Sequence, residues 1–243
     1  MDADPGGALM STRYTTEVTC GRCGRLNQVA IADSYSVDRL PAVREWVLAR
    51  TLMSTLCACG DRVGVEKPLL YSDVGRGWWI QIATVDRRPM FEVCERETRA
   101  ELAASTDPAK WPKAAAAIGE SLRVRVVFGH EELREKVLCA DHGLDDVLVE
   151  ILKLELLVAQ PELHAAGATI LVLDGVVDGA LAFVALAPDA TAQFHAVGEV
   201  RVMRSAHDAL AARRAELAET YPALFGAAYV NALRYRLAAR PSA

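Results

Sequence analysis

A long uninterrupted apolar run is missing from this 243-residue chain. The strongest one, 168–187, is broken by Asp174, Asp178 and several glycines. It falls short of the ~20 continuous apolar residues a membrane-spanning helix needs and reads as paired strands. A basic excess is missing as well: residues 11–92 hold 11 Lys/Arg against 9 Asp/Glu, and residues 121–243 hold 12 against 16. Phosphate neutralisation supplies most of the affinity of nucleic-acid binders. Arg13, Arg22 and Arg25 form only a small patch, so a nucleic-acid binder is the second reading here and a protein partner the first. The opening MDADPGGALMSTRY lacks the basic and then apolar regions of a signal peptide. Residues 1–12 are therefore expected to be a disordered tail on a cytoplasmic protein.

Catalytic signatures are also missing. There is no G-x-S-x-G, P-loop or dinucleotide-binding glycine pattern. Four of the five histidines, His130, His164, His195 and His207, are scattered; the fifth, His142, has Asp141, Asp145, Asp146 and Glu150 nearby in sequence. A histidine among carboxylates can bind metal or move protons, but Asp145 or Asp146 opening a helix after Gly143 accounts for the pattern as capping. The sequence indicates a non-enzymatic protein.

What is present is a globular composition, 52% hydrophobic and 24% charged, and six cysteines. Without export signals, closely paired thiols are better used as metal ligands than as disulfides. Cys20 and Cys23 lie in TCGRCGRLN, and Cys57 and Cys59 lie in TLCACG, with 33 residues between the pairs. Four thiolates saturate a tetrahedral zinc and leave no position for water, so Cys20, Cys23, Cys57 and Cys59 predict a structural Zn2+ site. The second pair is separated by one residue instead of two, which departs from the usual knuckle. Cys94 and Cys139 are left over and are expected to be buried thiols.

Alternating residues on either side of CGRCG predict a hairpin with that knuckle as its turn. Pro41 and the spacing of Trp46, Ala49, Met53 and Leu56 predict one amphipathic helix returning the chain to CACG. A strand pair turning at VGRG follows, with Trp78 and Trp79 on opposite faces. A composition shift with Pro108 and Pro112 predicts a linker at 107–120. Beyond it, LRVRVVFG predicts a strand, and the leucine spacing of 133–156 predicts one or two helices broken at Gly143. A hairpin turning at 177–179, a further strand and an alanine-rich helical tail broken at Pro222 complete the chain. The predicted fold is α+β: an N-terminal zinc-ribbon-like β domain with a helical insert over 13–106, and a C-terminal α+β domain over 121–243.

The run VTCGRCG, the helix, CACG and then KPLLYSD resembles the CpXC family of bacterial and archaeal proteins, over about residues 15–86. The segment beginning LRVRVVFGHEELREKV is also similar to the C-terminal region of longer members. The family pattern has a C-P-x-C knuckle, a helix-bearing insert, a C-P-x-C-G knuckle and a P-L-L-Y-H-D-like strand. Here Gly21 replaces the proline and the second pair is one residue short. Aligned at Cys59 and Gly60, the family's first cysteine falls on Leu56. The resemblance implies a zinc-binding element without a reaction, in a protein that sits beside ATPases in multi-gene systems. An adaptor binding another protein follows as the expectation, with self-association left open.

Overall fold

The computed structural model describes residues 13–107, 109, 119, 121–189 and 194–238. The expected tail at 1–12 and most of the expected linker at 107–120 lie outside them. The fold is α+β, and its contacts divide the chain into two compact units, Met1–Arg134 and Glu135–Ala243.

The first unit opens with strands β1 (Arg13–Thr19) and β2 (Leu26–Ala32), an antiparallel hairpin in register from Arg13 with Ala32 to Thr19 with Leu26. Strand β3 (Ser34–Ser36) leads into helix α1 (Ala42–Leu48), which buries Val43 and Val47. The single helix expected to run to Leu56 stops at Leu48: the Ala49 and Arg50 amides close the last turn onto the Glu45 and Val47 carbonyls, and Arg50 and Met53 take positive φ values of 56° and 47°. Those reversals break the helix. Residues Ser54–Leu56 become β4, paired with β5 (Arg62–Gly64) as a second small hairpin.

The core of this unit is a four-stranded mixed sheet in the order β3, β6 (Leu69–Asp73), β7 (Trp78–Ala83), β8 (Arg123–Phe128). In β6, alternation buries Leu69, Tyr71 and Asp73. Asp73 also caps the turn into β7 by accepting from the Arg76 amide at 3.2 Å, and Gly77 supplies the left-handed residue (φ 70°) that ends the turn. Thus the LLYSD stretch encodes two core side chains and a cap. Both tryptophans of β7 are buried, and Arg123 and Arg125 stack over the Trp78 ring at 4.8 and 5.7 Å. Helix α2 (Phe91–Ser105) turns Phe91, Cys94 and Leu102 inward.

The expected domain boundary differs from the observed division. Strand β8, predicted to open a second domain at 121, pairs in parallel with β7 from Trp78 with Arg123 to Ala83 with Phe128. Its last four residues, Arg125–Phe128, are buried, and apolar burial of that extent ties the strand to the first sheet. The division falls after Arg134, within helix α3 (His130–Asp141).

The second unit carries helix α4 (Asp146–Ala159), the short α5 (Pro161–Ala165) and an antiparallel meander of β9 (Ile170–Val177), β10 (Ala180–Pro188) and β11 (Phe194–Met203), with β10 central. The β9–β10 turn is Asp178–Gly179, both at positive φ (50° and 75°), the two-residue reversal that matches strand twist. Leu171, Leu173, Leu181, Phe183 and Ala185 are buried together with Leu148, Ile151 and Leu152 of α4. The tail forms α6 (Arg204–Ala212), α7 (Arg214–Thr220), α8 (Pro222–Phe225) and α9 (Leu233–Ala238). Between α8 and α9 the helical expectation fails, because Ala228, Tyr229 and Val230 form a non-helical segment with no exposed surface.

This segment is held by charges inside the unit. Lys136 Nζ donates to the Val230 carbonyl at 2.6 Å, and the Ala232 amide donates to Glu150 Oε2 at 2.9 Å. Lys153 bridges Glu135 (2.5 Å) and Glu150 (2.9 Å), and Glu135 also accepts from the Leu173 amide at 2.5 Å. Lys136 lies 3.3 Å from Asp146. All five side chains are buried, so each needs these partners to offset its desolvation.

Candidate metal centre

Each cysteine pair sits at the tip of one of the two small hairpins, and the two tips are built alike. In the first, Thr19 and Leu26 are the last paired residues, the Cys20 amide donates to the Arg25 carbonyl at 2.8 Å, and the Gly24 amide donates back to the Cys20 carbonyl at 2.9 Å. In the second, Leu56 and Arg62 are the last pair, the Cys57 amide donates to the Asp61 carbonyl at 2.8 Å, and the Gly60 amide donates to the Cys57 carbonyl at 2.9 Å. The first cysteine closes the ladder in both turns, and a glycine of positive φ follows the second cysteine in both: Gly24 at 72° and Gly60 at 85°. The second turn is one residue shorter between those fixed points. The shortened C-x-C spacing is therefore a tighter turn of the same plan, with the glycine supplying the backbone reversal.

The four sulfurs converge. All four Sγ atoms of Cys20, Cys23, Cys57 and Cys59 lie within 4.8 Å of one another, with Cys20 to Cys59 and Cys23 to Cys57 both at 3.6 Å. A sulfur tetrahedron with metal–sulfur bonds of about 2.3 Å has edges of about 3.8 Å, so the set fits one tetrahedral cation. A separation of 3.6 Å is far beyond the ~2.05 Å of a disulfide, and all six cysteines are free. Leu56, the position an alignment at Cys59 offers in place of Cys57, is 63% exposed, whereas Cys57 is 2% exposed. The ligand candidate in that hairpin is Cys57.

The environment is graded. Cys20 and Cys57 are buried with Val63 and packed by Val18, Cys59 is half-buried, and Cys23 is exposed. The apolar side keeps water from one half of the cluster, while the other half is open to an arriving ion. Backbone amides tune the thiols. The Cys59 amide, with added donation from the neighbouring thiols, brings Cys57 down to about 6. Cys59 goes up to about 12: the Asp61 amide lowers it, but burial and the three surrounding sulfurs outweigh that bond. Four thiols this close cannot all ionise without a cation among them, and a divalent ion removes that restriction. Asp61 is the contributor that motif reading missed: its carbonyl accepts from the Cys57 amide as that of Arg25 does from the Cys20 amide in the first turn.

The remaining candidates occupy structural positions. Asp145 caps α4, accepting from the Val147 amide at 2.9 Å, and its carboxylate also meets Arg214. The Asp145 amide donates to His207 Nε2 at 3.0 Å, so the buried imidazole is engaged in holding the start of the helix. Asp146 and Glu150 belong to the buried lysine network, and His142 offers its carbonyl to Arg204 at 2.7 Å. Among the described residues, the four cysteines are the one group whose ligating atoms meet in metal-binding geometry. Cys94 and Cys139 are buried as expected, and burial raises both thiols. No helix among the described residues is long and apolar enough to cross a membrane.

Comparison with protein families gives a match to the model described as CpXC protein over residues 18–153. The match begins before the first cysteine pair, takes in both hairpin tips and the LLYSD strand, and runs on through α3 into α4. No curated protein and no solved structure matches the chain.

Proposed function

The chain belongs to the CpXC protein family, and from that premise we propose that it is a non-enzymatic adaptor whose first unit is held by a structural zinc ion. The observation that carries this reading is the closed set of four thiols at the tips of two hairpins too small to hold each other. Strands β4 and β5 have three residues each, and isolated two-stranded sheets are marginal in water. Cys20, Cys23, Cys57 and Cys59 would hold the ion, and soft thiolates in tetrahedral array select zinc over hard cations. Zinc so bound supplies charge neutralisation and a cross-link between the hairpins. With four protein ligands it has no open position for substrate, which makes the site a fastener, and the work of the protein then lies in the surface it presents to another protein, in keeping with a bacterial cytoplasmic system that includes an ATPase.

The metal half of the proposal is tested by elemental analysis of the purified full chain. One zinc per chain, lost in the Cys20→Ser/Cys23→Ser double variant, supports it; a well-folded chain with no metal refutes it. The adaptor half is tested by parallel affinity purification of tagged wild-type and double-variant chains from the native host. Recovery of a defined protein complex with the wild type alone supports an interaction that depends on the zinc-held unit, whereas turnover of a small-molecule substrate by the purified chain refutes the non-enzymatic assignment.

A further inference from the structure

Among the described residues, strand β11 is the outer strand of the second unit's sheet, with β10 as its one paired neighbour. A bulge at Val197, where Ala185 faces Gly198 and Leu186 faces Ala196, separates the start of the strand from a regular stretch, Gly198–Met203. Within that stretch Val200 is buried, and exposed Glu199 and Arg201 flank it. Glu199 and Arg201 lie opposite Val184 and Ala182 of β10, on the half-buried apolar face of the sheet. Among the described residues neither charge has an ion pair or hydrogen bond. Opposite charges two residues apart on an outer strand, set symmetrically about a buried valine, form a pattern complementary to itself.

We propose that β11 pairs with β11 of a second copy of this chain, antiparallel and centred on Val200, joining the two three-stranded sheets into one of six strands. In that register Glu199 of each chain faces the partner's Arg201, and Gly198 faces the partner's Val202. Directly opposed side chains of an antiparallel pair share a face, so both ion pairs form on the outer face and the two Val200 side chains meet on the core face. The charges also select the register. Centring the pair on Glu199 or on Arg201 puts like charges opposite each other, which is destabilising. A one-residue slip turns Val200 of one chain against the outer face of the other. Strand addition supplies main-chain hydrogen bonds without sequence preference, and the flanking charges supply the specificity. The inference rests on β11 alone and is independent of the metal centre and of the adaptor reading.

Sedimentation of the full, zinc-replete chain over a concentration series tests it. The expected result is a reversible dimer whose dissociation constant rises ~10-fold or more in Glu199→Arg and in Arg201→Glu, each of which sets like charges opposite each other, and returns toward the wild-type value in the double exchange Glu199→Arg/Arg201→Glu. A wild-type chain that stays monomeric at every concentration overturns the proposal. So does a dimer indifferent to the single exchanges, or one that the double exchange fails to restore. Hydrogen exchange on the wild type gives a measurement that needs no variant: amides of 198–203 gain protection as concentration rises, and protection independent of concentration refutes the pairing.

Discussion

The two units solve one problem in opposite ways. In the first, four thiols bring their sulfurs within 4.8 Å of one another, and on the reading proposed above their counter-charge is a bound ion. In the second, Glu135, Asp146 and Glu150 meet Lys136 and Lys153 from the same unit, with two main-chain amides and a carbonyl completing the set. An external counter-charge makes folding answerable to metal and to acid; an internal one makes it answerable to the loss of a lysine proton. The first arrangement suits two small hairpins that need a cross-link, and the second suits an apolar core that can enclose ions already paired.

The largest expected effect breaks the external arrangement. Structural zinc in small domains contributes on the order of 10 kcal/mol, so a strong chelator, or Cys20→Ser with Cys23→Ser, is expected to release hydrogen-exchange protection across β1, β2, β4 and β5. Amides of α4 and β10 should keep theirs, since their bonding partners lie in the second unit. Equal loss in both sets would show that the thiol cluster supports more than its own hairpins. Metal release follows acidification, because protons compete with the ion for thiolates.

The internal arrangement breaks next. Lys153→Met leaves Glu135 buried without its ammonium partner and Glu150 with Lys136 alone, and uncompensated buried charge costs about 3–5 kcal/mol. Urea unfolding reads the loss, and part of it should return as pH falls, when the orphaned Glu135 carboxyl, which burial already pushes up, takes up a proton; a cost below about 1 kcal/mol would mean that Lys153 was no counter-charge. Its pH sign is opposite to that of the metal site. Burial alone would lower Lys153, but Glu135 and Glu150 raise it above its ordinary 10.5, and Asp146 and Glu150 do the same for Lys136. A raised lysine stabilises the fold fully below its unfolded value and loses that contribution as pH climbs through the folded one. The second unit should therefore weaken in strong alkali, read by the same urea series from pH 9 upward, and stay steady near neutrality.

Much of the first unit was legible in the sequence because its signals are local. The cysteine pairs, the alternating strands around CGRCG and the turn at VGRG all follow from spacing and turn chemistry. The Asp145 cap, the break at Gly143 and the Asp178–Gly179 hairpin were equally readable. The errors lie where distant segments decide. Met53 and Leu56 fit a helical face, yet a strand partner at 62–64 claims 54–56. Strand β8 reads as the start of a new domain, yet its partner β7 lies some forty residues upstream, and no local pattern announces a parallel pairing. The Lys–Glu network was invisible for the same reason: Glu135, Lys153 and Val230 are far apart in sequence, and charged residues on a helix ordinarily read as solvent-facing. The thiol cluster was legible in its membership, while the tightness of the second turn was a property of backbone hydrogen bonds that spacing alone does not show.

The smallest expected effect tests that last property. Gly24 and Gly60 hold equivalent places in turns of different length, at φ 72° and 85°, and a Cβ added at either would meet nothing within 4 Å. Any cost of Gly60→Ala is therefore conformational and not steric crowding, about 1–2 kcal/mol for a non-glycine residue held in the left-handed region. Asparagine tolerates that region better than alanine. Gly60→Asn should accordingly cost less than Gly60→Ala, and the same order should hold for Gly24, with thermal melting of the metal-loaded protein as the readout. If the two substitutions cost the same, positive φ is not what the glycine provides. If alanine is tolerated at Gly24 and not at Gly60, the tighter turn is the less adaptable of the two, and the missing residue between Cys57 and Cys59 has been exchanged for a stricter demand on the glycine that follows.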